Sequence, residues 1–427
     1  MVTGAVAMAV PHYIPRECMA QGDRPGANDR IGIAAIGIGR QGSGVFAAAA
    51  GDPRTTPVAI CDVWLKRAME QASKHRVPED SVYQDYRRVI DRGDVDAIVT
   101  ATPEHWRCMI CVPAALAGKH LYVEKPITLT IEDGRLMRAA ARRTNIRFQC
   151  GSMQRSYVAN WLGCQLIREG GIGEILEVYA ANYESPWYSN LPAEPVPEGL
   201  DWDMWCGPTE PVPYHSQLFT PRGNPGWLSF RPWSGGEMTG WGTHGFDQIQ
   251  CALGMDDTGP VEVMVEGDKL EPPTYDRPES SARGNQLCSR PQLSWRYANG
   301  LIVRLDEKVN RGGGLFVGGK GKVEIFRGRV TSNPKELAEE YLRSHADLKL
   351  PSHMTNWIDC IYNGERPVGD IETGIRTATI CHILNIARYL GRNLTWDPVS
   401  EVFVGDDEAN TMISRPHRRG YEQPVVT

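Results

Sequence analysis

The sequence predicts an α/β domain with a doubly wound parallel sheet, followed by a second domain of helices and mostly antiparallel strands with one covered face. Three observations predict this. Short apolar runs alternate with helical stretches from residue 30 to 150. A glycine-rich turn joins the first of those runs to the first helix. Beyond Gly151 the strands alternate apolar and polar residues, as sheets with one covered face do.

Ile31–Ile36 is a nearly continuous apolar run, the pattern of a strand buried on both faces. Gly37-Ile38-Gly39-Arg40-Gln41-Gly42 follows at once and reads GxGxxG, leading into a helix that Val45–Ala50 continues. Gly37 allows the tight turn, Gly39 lets backbone approach a pyrophosphate, and Gly42 permits close helix packing. The free N–H groups at the helix start suit a diphosphate. A second strand, Val58–Cys61, ends in Asp62, whose carboxylate can accept from a ribose diol and would repel a 2′-phosphate. The pattern therefore predicts NAD rather than NADP, with Lys66 and Arg67 the nearest cations on the next helix.

The alternation continues. Lys66–His75 reads as a helix and Val95–Thr100 as a strand running into Ala101-Thr102-Pro103-Glu104-His105-Trp106. A helix carries Cys108–Ala117 and Gly118 ends it. The strand Lys119–Val123 runs into Glu124-Lys125-Pro126, Ile131–Arg143 is helical, and Asn145–Cys150 is a further strand. Right-handed crossovers then build a parallel sheet whose ligands sit at the strands' carboxyl ends, where Thr102-Pro103 and Glu124-Lys125-Pro126 fall.

The glycine fingerprint, ATPEHW, YVEKP and QCGSMQRS, continued by LDWDMWCGP, SGGEMTGWGTHGFDQIQ and GDDEAN, resemble the Gfo/Idh/MocA family, glucose–fructose oxidoreductase, inositol dehydrogenase and their relatives. The resemblance runs from about residue 30 almost to the end. It implies an NAD-binding Rossmann domain over residues 30–152 and an α+β substrate and oligomerisation domain over 153–427, with a large open, mostly antiparallel sheet and C-terminal helices that pack back on the first. It also implies a tightly held nicotinamide cofactor and a carbohydrate or cyclitol substrate. The expected cofactor residues are Gly37, Gly39, Arg40, Gln41, Gly42, Asp62, Thr102, Pro103, His105, Glu124, Lys125 and Gln154. In the resembling family the open face of the second sheet commonly forms the oligomer interface, so the resemblance implies a homo-oligomer, a dimer or tetramer.

In the second half, Ser156–Glu169 reads as a helix and Glu174–Tyr183 as a strand, before a long irregular stretch, Glu184–Gly236. Loops that long are usually functional. Six of the twelve tryptophans fall between 187 and 241. Aromatic faces stack on the apolar face of a pyranose, so Trp187, Trp233 and His215 are expected at the substrate, with Arg155, Tyr183 and His244. The alternative is that these rings pin the loop to the sheet. Phe246–Leu253 is a helix, Leu293–Tyr297 and Leu301–Leu305 flank an Ala298-Asn299-Gly300 hairpin, Lys322–Phe326 is a strand, and Met354–Ile361 and Ile371–Leu390 are helices.

Oxidising a secondary alcohol needs a base for the hydroxyl proton and a donor to steady the oxygen. Lys125 is the candidate, since burial near positive charge lowers a lysine's pKa. His244 is the second. The resemblance implies Asp-x-x-x-His-x-x-Asp here, yet the chain has Gly240 for the first Asp while keeping His244 and Asp247. Asp247 could orient His244 from the same helical face, or serve as a helix-start acid. Arg107 stands where many relatives carry His.

Three functions fit: an NAD-dependent oxidoreductase on a sugar, sugar derivative or cyclitol; a glycosidase that oxidises a hydroxyl transiently and returns the hydride, with Tyr183 or Tyr179 as an extra base; and a cofactor-binding protein without turnover. With 46 basic and 52 acidic residues and a net charge of −6, no basic run marks a nucleic-acid partner, and no run is long enough to span a membrane. Eleven cysteines give no zinc-like pair of pairs, and Cys108-Met109-Ile110-Cys111 lies within a helix, so no metal is expected. Residues 1–29 read as an extension whose Met1–Val10 resembles the apolar part of an export signal without its basic start. Export and a cytoplasmic location both stay open.

Overall fold

A computed structural model of the chain describes Gly26 and residues 29–220, 226–276 and 286–426. The signal-like Met1–Val10 and the cleavage context Ala20-Gln21-Gly22 lie outside the described residues.

The first half runs β1 (Ile31–Ile36), α1 (Arg40–Ala50), β2 (Thr55–Cys61), α2 (Leu65–His75), β3 (Val82–Tyr83), α3 (Arg87–Ile90), β4 (Ala97–Thr100), α4 (Glu104–Leu116), β5 (His120–Val123), α5 (Ile131–Thr144) and β6 (Phe148–Cys150). These strands form one parallel sheet in the order β3-β2-β1-β4-β5-β6. Every residue of β1 is buried, because helices cover both faces. The strand order reverses between β1 and β4, and that switch point opens the ligand crevice at the carboxyl ends.

The second half adds α6 (Val158–Arg168), β7 (Ile175–Ala181), β8 (Tyr188–Ser189), α7 (Trp202–Cys206), α8 (Ser216–Phe219), α9 (Glu237–Gly240), α10 (Gly242–Leu253), β9 (Glu262–Glu266), β10 (Thr274–Tyr275), β11 (Gln292–Arg296) and β12 (Ile302–Asp306). It closes with β13 (Gly313–Gly318), β14 (Gly321–Phe326), β15 (Arg329–Asn333), α11 (Glu336–Ser344), α12 (His353–Asn363), α13 (Ile371–Leu390), β16 (Leu394–Asp397), β17 (Val402–Phe403) and α14 (Asp407–Thr411). Nine strands make a mixed sheet, β15-β14-β13-β7-β12-β11-β9-β16-β17, antiparallel except where β12 runs parallel to β7. Val178 and Phe316 pair across β7 and β13 under the helices, while Tyr179 and Leu315 pair on the other, half-buried face.

Helices α12 and α13 tie the halves together. Trp357 and Ile358 of α12 enter the core beside β1 and α1, and α13 packs on both α5 and α10. The helix α13 is capped by Asp370 at its start and Gly391 at its end. The stretch after Tyr183 is compact: Trp187, Trp205, Phe230 and Trp233 build a separate aromatic core, with Trp205 and Trp233 centroids 5.2 Å apart. Helix α10 starts at Gly242, before the expected Phe246, and the Thr243 hydroxyl donates to the Thr239 carbonyl (2.6 Å), joining it to α9. His244 therefore sits in its first turn.

Candidate active site

The crevice holds a cavity of about 650 Å³ that draws its walls from both halves. Its floor is the glycine turn. Gly37 has φ +81°, and a Cβ at Gly42 would stand 2.1 Å from the Gly37 carbonyl, so the turn and the helix behind it close only with glycine there. Helix α1 has no side-chain cap and no acid in its first turn, leaving its N–H groups for an anion. Asp62 follows β2 and is nearly buried; it accepts from the Ile38 and Trp64 N–H groups, each at 2.9 Å, and lies 3.6 Å from Arg67. Burial raises its pKa, and Arg67 and the two N–H groups pull it back.

These features fit a dinucleotide. Gly39 presents bare backbone to the cavity, where a Cβ would meet little but Arg67 Nη1 at 3.5 Å. Arg40, Gln41, Thr102 and Pro103 line the same wall, and Glu124 lies deep in it with its Oε2 unpaired among the described residues.

The second half covers the far end. Its residues 198–201 return to the strand end that carries Asp62: Leu65 N–H donates to Gly199 O (3.0 Å), Asp201 N–H to Val63 O (2.9 Å), and Trp64 Nε1 to Glu198 O (3.1 Å). Beyond them, the Trp64 and Phe219 rings meet edge-on with centroids 5.8 Å apart, the Arg67 guanidinium lies 5.1 and 4.9 Å from them, and Phe219 and Trp227 complete that wall.

The opposite end holds the two residues expected to handle the proton. Lys125 and His244 both line the cavity, one from each half. The Lys125 ammonium donates to the Gly240 carbonyl at 3.0 Å. The position where the resembling pattern carries a carboxylate thus offers a backbone oxygen. Trp241 also lines this end, its ring 5.7 Å from that of His244 and 5.1 Å from the Arg327 guanidinium.

Several expected residues lie elsewhere. Tyr183 is fully buried: its hydroxyl accepts from Gly312 N–H (2.8 Å), a Cβ on Gly245 would approach it to 2.6 Å, and burial pushes its pKa up. It is a core residue, not a base at the cavity, and Tyr179 belongs to the far face of the sheet. Asp247 faces Arg155 rather than His244. Its two oxygens accept from Arg155 Nε at 2.9 Å each, and Thr377 adds a third bond, while Arg155 also grips Asp256. Burial still pushes Asp247 up to about 6, against the pull of Arg155. That ion-pair cluster removes Arg155 from the substrate. Gln154 donates to Gly312 O (2.8 Å), and His105 Nε2 bonds Trp205 O (2.9 Å), both behind the wall. Trp187 and Trp233 are interior to the aromatic core, and His215 caps α8 by accepting from Gln217 N–H (3.1 Å). Of the six tryptophans between 187 and 241, Trp205, Trp227 and Trp241 line the cavity, beside Phe219, while Trp187 and Trp233 are buried in the aromatic core that pins the loop.

Other residues join the site without having been expected there. Arg107 is buried beneath the cavity, donating to Thr102 O (2.7 Å) and Pro126 O (3.1 Å). Its one signal was its place after ATPEHW. Trp64, Phe219 and Arg327 come from loops, short helix ends and a hairpin turn, whose positions no periodicity encodes.

Two family models match the chain: the oxidoreductase family's NAD-binding Rossmann fold over residues 31–152, and its C-terminal alpha/beta domain over 175–423. The chain is 30% identical over 132 residues to an alpha-N-acetylgalactosaminidase of Shewanella oneidensis, covering 29% of this chain and 28% of that protein. It is 36% identical over 103 residues to a levoglucosan dehydrogenase of Pseudarthrobacter phenanthrenivorans, covering 24% and 26%. The matched part thus spans under a third of either relative. Among solved structures, the WlbA dehydrogenase from Bordetella pertussis, in complex with NADH and UDP-GlcNAcA, superposes with a TM-score of 0.59 at 18% identity, covering 86% of this chain and 99% of that one, a likeness of fold. With both domain models matched over most of its length, this chain belongs to the Gfo/Idh/MocA oxidoreductase family and carries its NAD-binding domain.

Proposed function

We propose that the chain is an NAD-dependent oxidoreductase acting on a secondary hydroxyl of a sugar, sugar derivative or cyclitol. The observation that carries this is that Lys125 and His244, from different halves, line the same cavity, which begins at the glycine turn and Asp62. NAD, when bound, supplies the hydride acceptor. The chain's own residues then handle the proton: Lys125, held by the Gly240 carbonyl, faces the reacting hydroxyl, and His244 takes or returns its proton. Gln41, Asp62 and Glu124 would hold the cofactor, with Trp64 and Phe219 walling its adenosine end.

A second reading is a glycosidase that oxidises the hydroxyl transiently, lets the aglycone leave and restores the hydride. In that reading the proton on the carbon beside the new carbonyl is removed as the aglycone leaves, and water adds before the hydride returns; Gly240 in place of a carboxylate and the resemblance to an alpha-N-acetylgalactosaminidase support it. Losing Tyr183 as a base weakens it. Incubation with a panel of free sugars, cyclitols and aryl glycosides separates them. Accumulating NADH supports the first; aglycone release with no net NADH supports the second; neither on any member refutes both. Mass spectrometry of the denatured protein adds whether NAD(H) co-purifies. Assembly into a dimer or tetramer through the face bearing Tyr179 and Leu315 belongs to this reading, and sedimentation tests it.

A further inference from the structure

Glu104 is the first residue of α4, next to Pro103 in the cavity wall, and its side chain is fully buried (0% exposed). Its hydrogen-bond partners lie in the other half. It accepts from the Ser234 hydroxyl, from Gly235 N–H at 3.0 Å, and from the Thr239 hydroxyl at 3.1 Å. Those residues form the turn that ends in Gly240, whose carbonyl oxygen Lys125 holds. Gly236 N–H donates to Ser234 Oγ, Gly240 N–H to Gly236 O, and the Thr243 hydroxyl to Thr239 O, so the turn is continuous with the helix start carrying His244. Asn385 holds the turn from α13 through Gly235 O (2.8 Å).

We propose that Glu104 is a positioning residue: it clamps the Ser234–Gly240 turn to the NAD-binding half, and so fixes Gly240 against Lys125 and His244 over the same cavity. The proposal rests on the reading of Lys125 and His244 given above. Gly235 N–H can only donate, whereas the Ser234 and Thr239 hydroxyls can also accept and Thr239 Oγ1 lies 3.1 Å from Gly236 O as well, so the ionised carboxylate accepts from all three and protonation reverses one of these bonds. Burial pushes Glu104 up to about 7, with the bonds from Ser234 and Gly235 and the charge of Arg107 pulling it back. The other groups facing it are Arg415 from the C-terminal segment and the Cys381 thiol of α13. The carboxylate is ionised above that pKa and protonated below it, so its charge-assisted bonds to the turn are exchanged for weaker neutral ones as pH falls through about 7.

Glu104→Gln tests this, with Thr239→Val as a second variant. Expected for Glu104→Gln are an unchanged NADH dissociation constant, a kcat lowered about 10–100-fold with KM moved less than about threefold, and loss of the acidic limb near neutrality from the kcat profile. Hydrogen exchange of residues 234–244, which needs no substrate, should quicken about tenfold while β1 and β4 keep their protection. Thr239→Val should lower kcat and add little to Glu104→Gln. Wild-type kcat and exchange in Glu104→Gln would overturn the proposal, as would a uniform loss of protection with the pH limb intact. Lys125→Ala run beside them separates the failures. If Lys125→Ala is inactive and Glu104→Gln is not, the clamp alone is wrong; if both are fully active, the site reading falls with it.

Discussion

Replacing Trp233 with alanine distinguishes a substrate wall from an aromatic core. The indole is fully buried, 5.2 Å from the Trp205 ring and 6.2 Å from Phe230, and its Nε1 donates to the Thr209 hydroxyl at 3.1 Å. Truncating an enclosed indole loses its transfer free energy and leaves a cavity, which together cost about 3–5 kcal/mol. The lost hydrogen bond falls within that range, at about 1 kcal/mol. Denaturant unfolding followed by circular dichroism, with steady-state kinetics on the folded protein, measures both consequences. The expected result is a stability loss of that size, with substrate KM in the folded protein changed less than about twofold. A loss under about 1 kcal/mol with a roughly tenfold higher KM would refute the packing argument. Trp241→Ala, which removes a cavity-lining ring, should do the reverse.

Asp62→Ala removes an acceptor of two backbone N–H groups and the partner of Arg67, and should weaken NAD by about 1–3 kcal/mol while relaxing discrimination against NADP; titration of both cofactors checks it. Asp247→Asn leaves Arg155 buried with one charge partner fewer and should cost about 3–5 kcal/mol of stability, read by urea unfolding. Phe219→Ala opens the wall at the adenosine end and should speed NADH release at least about tenfold with little change in melting temperature, read by stopped-flow fluorescence. Gly240→Asp places a carboxylate beside Lys125; tolerated alcohol oxidation favours the dehydrogenase, and blocked binding favours a site that uses the space for an aglycone.

The parallel sheet was legible because its strands are continuous apolar runs and its ligand turn demands glycine; β1 spans the expected Ile31–Ile36, and Gly37 has its positive φ. In the second half, β11 and β12 followed from alternation and an Asn-Gly turn. The strands β9, β13 and β15 did not, since Gly313, Gly314 and Gly318 dilute the alternation of β13 and the polar Arg329–Asn333 sits at an edge. The convergence of Lys125 and His244 on one cavity was readable from their local motifs. Trp187 and Trp233 were misread because composition cannot say whether a ring faces a ligand or its neighbours. Tyr183, Arg155 and Asp247 failed for a related reason: each is polar and near the motifs, and each spends its polar atoms on partners more than sixty residues away in sequence. Such pairings become visible only once the chain is folded.

The central claim is that Lys125 handles the hydroxyl proton, and the direct measurement is the rate of NAD reduction by wild type and Lys125→Ala with the same oxidisable sugar, alongside NADH affinity. A kcat reduced about 10²–10⁴-fold at unchanged affinity is predicted. Full activity in Lys125→Ala would contradict the account, whatever the fold.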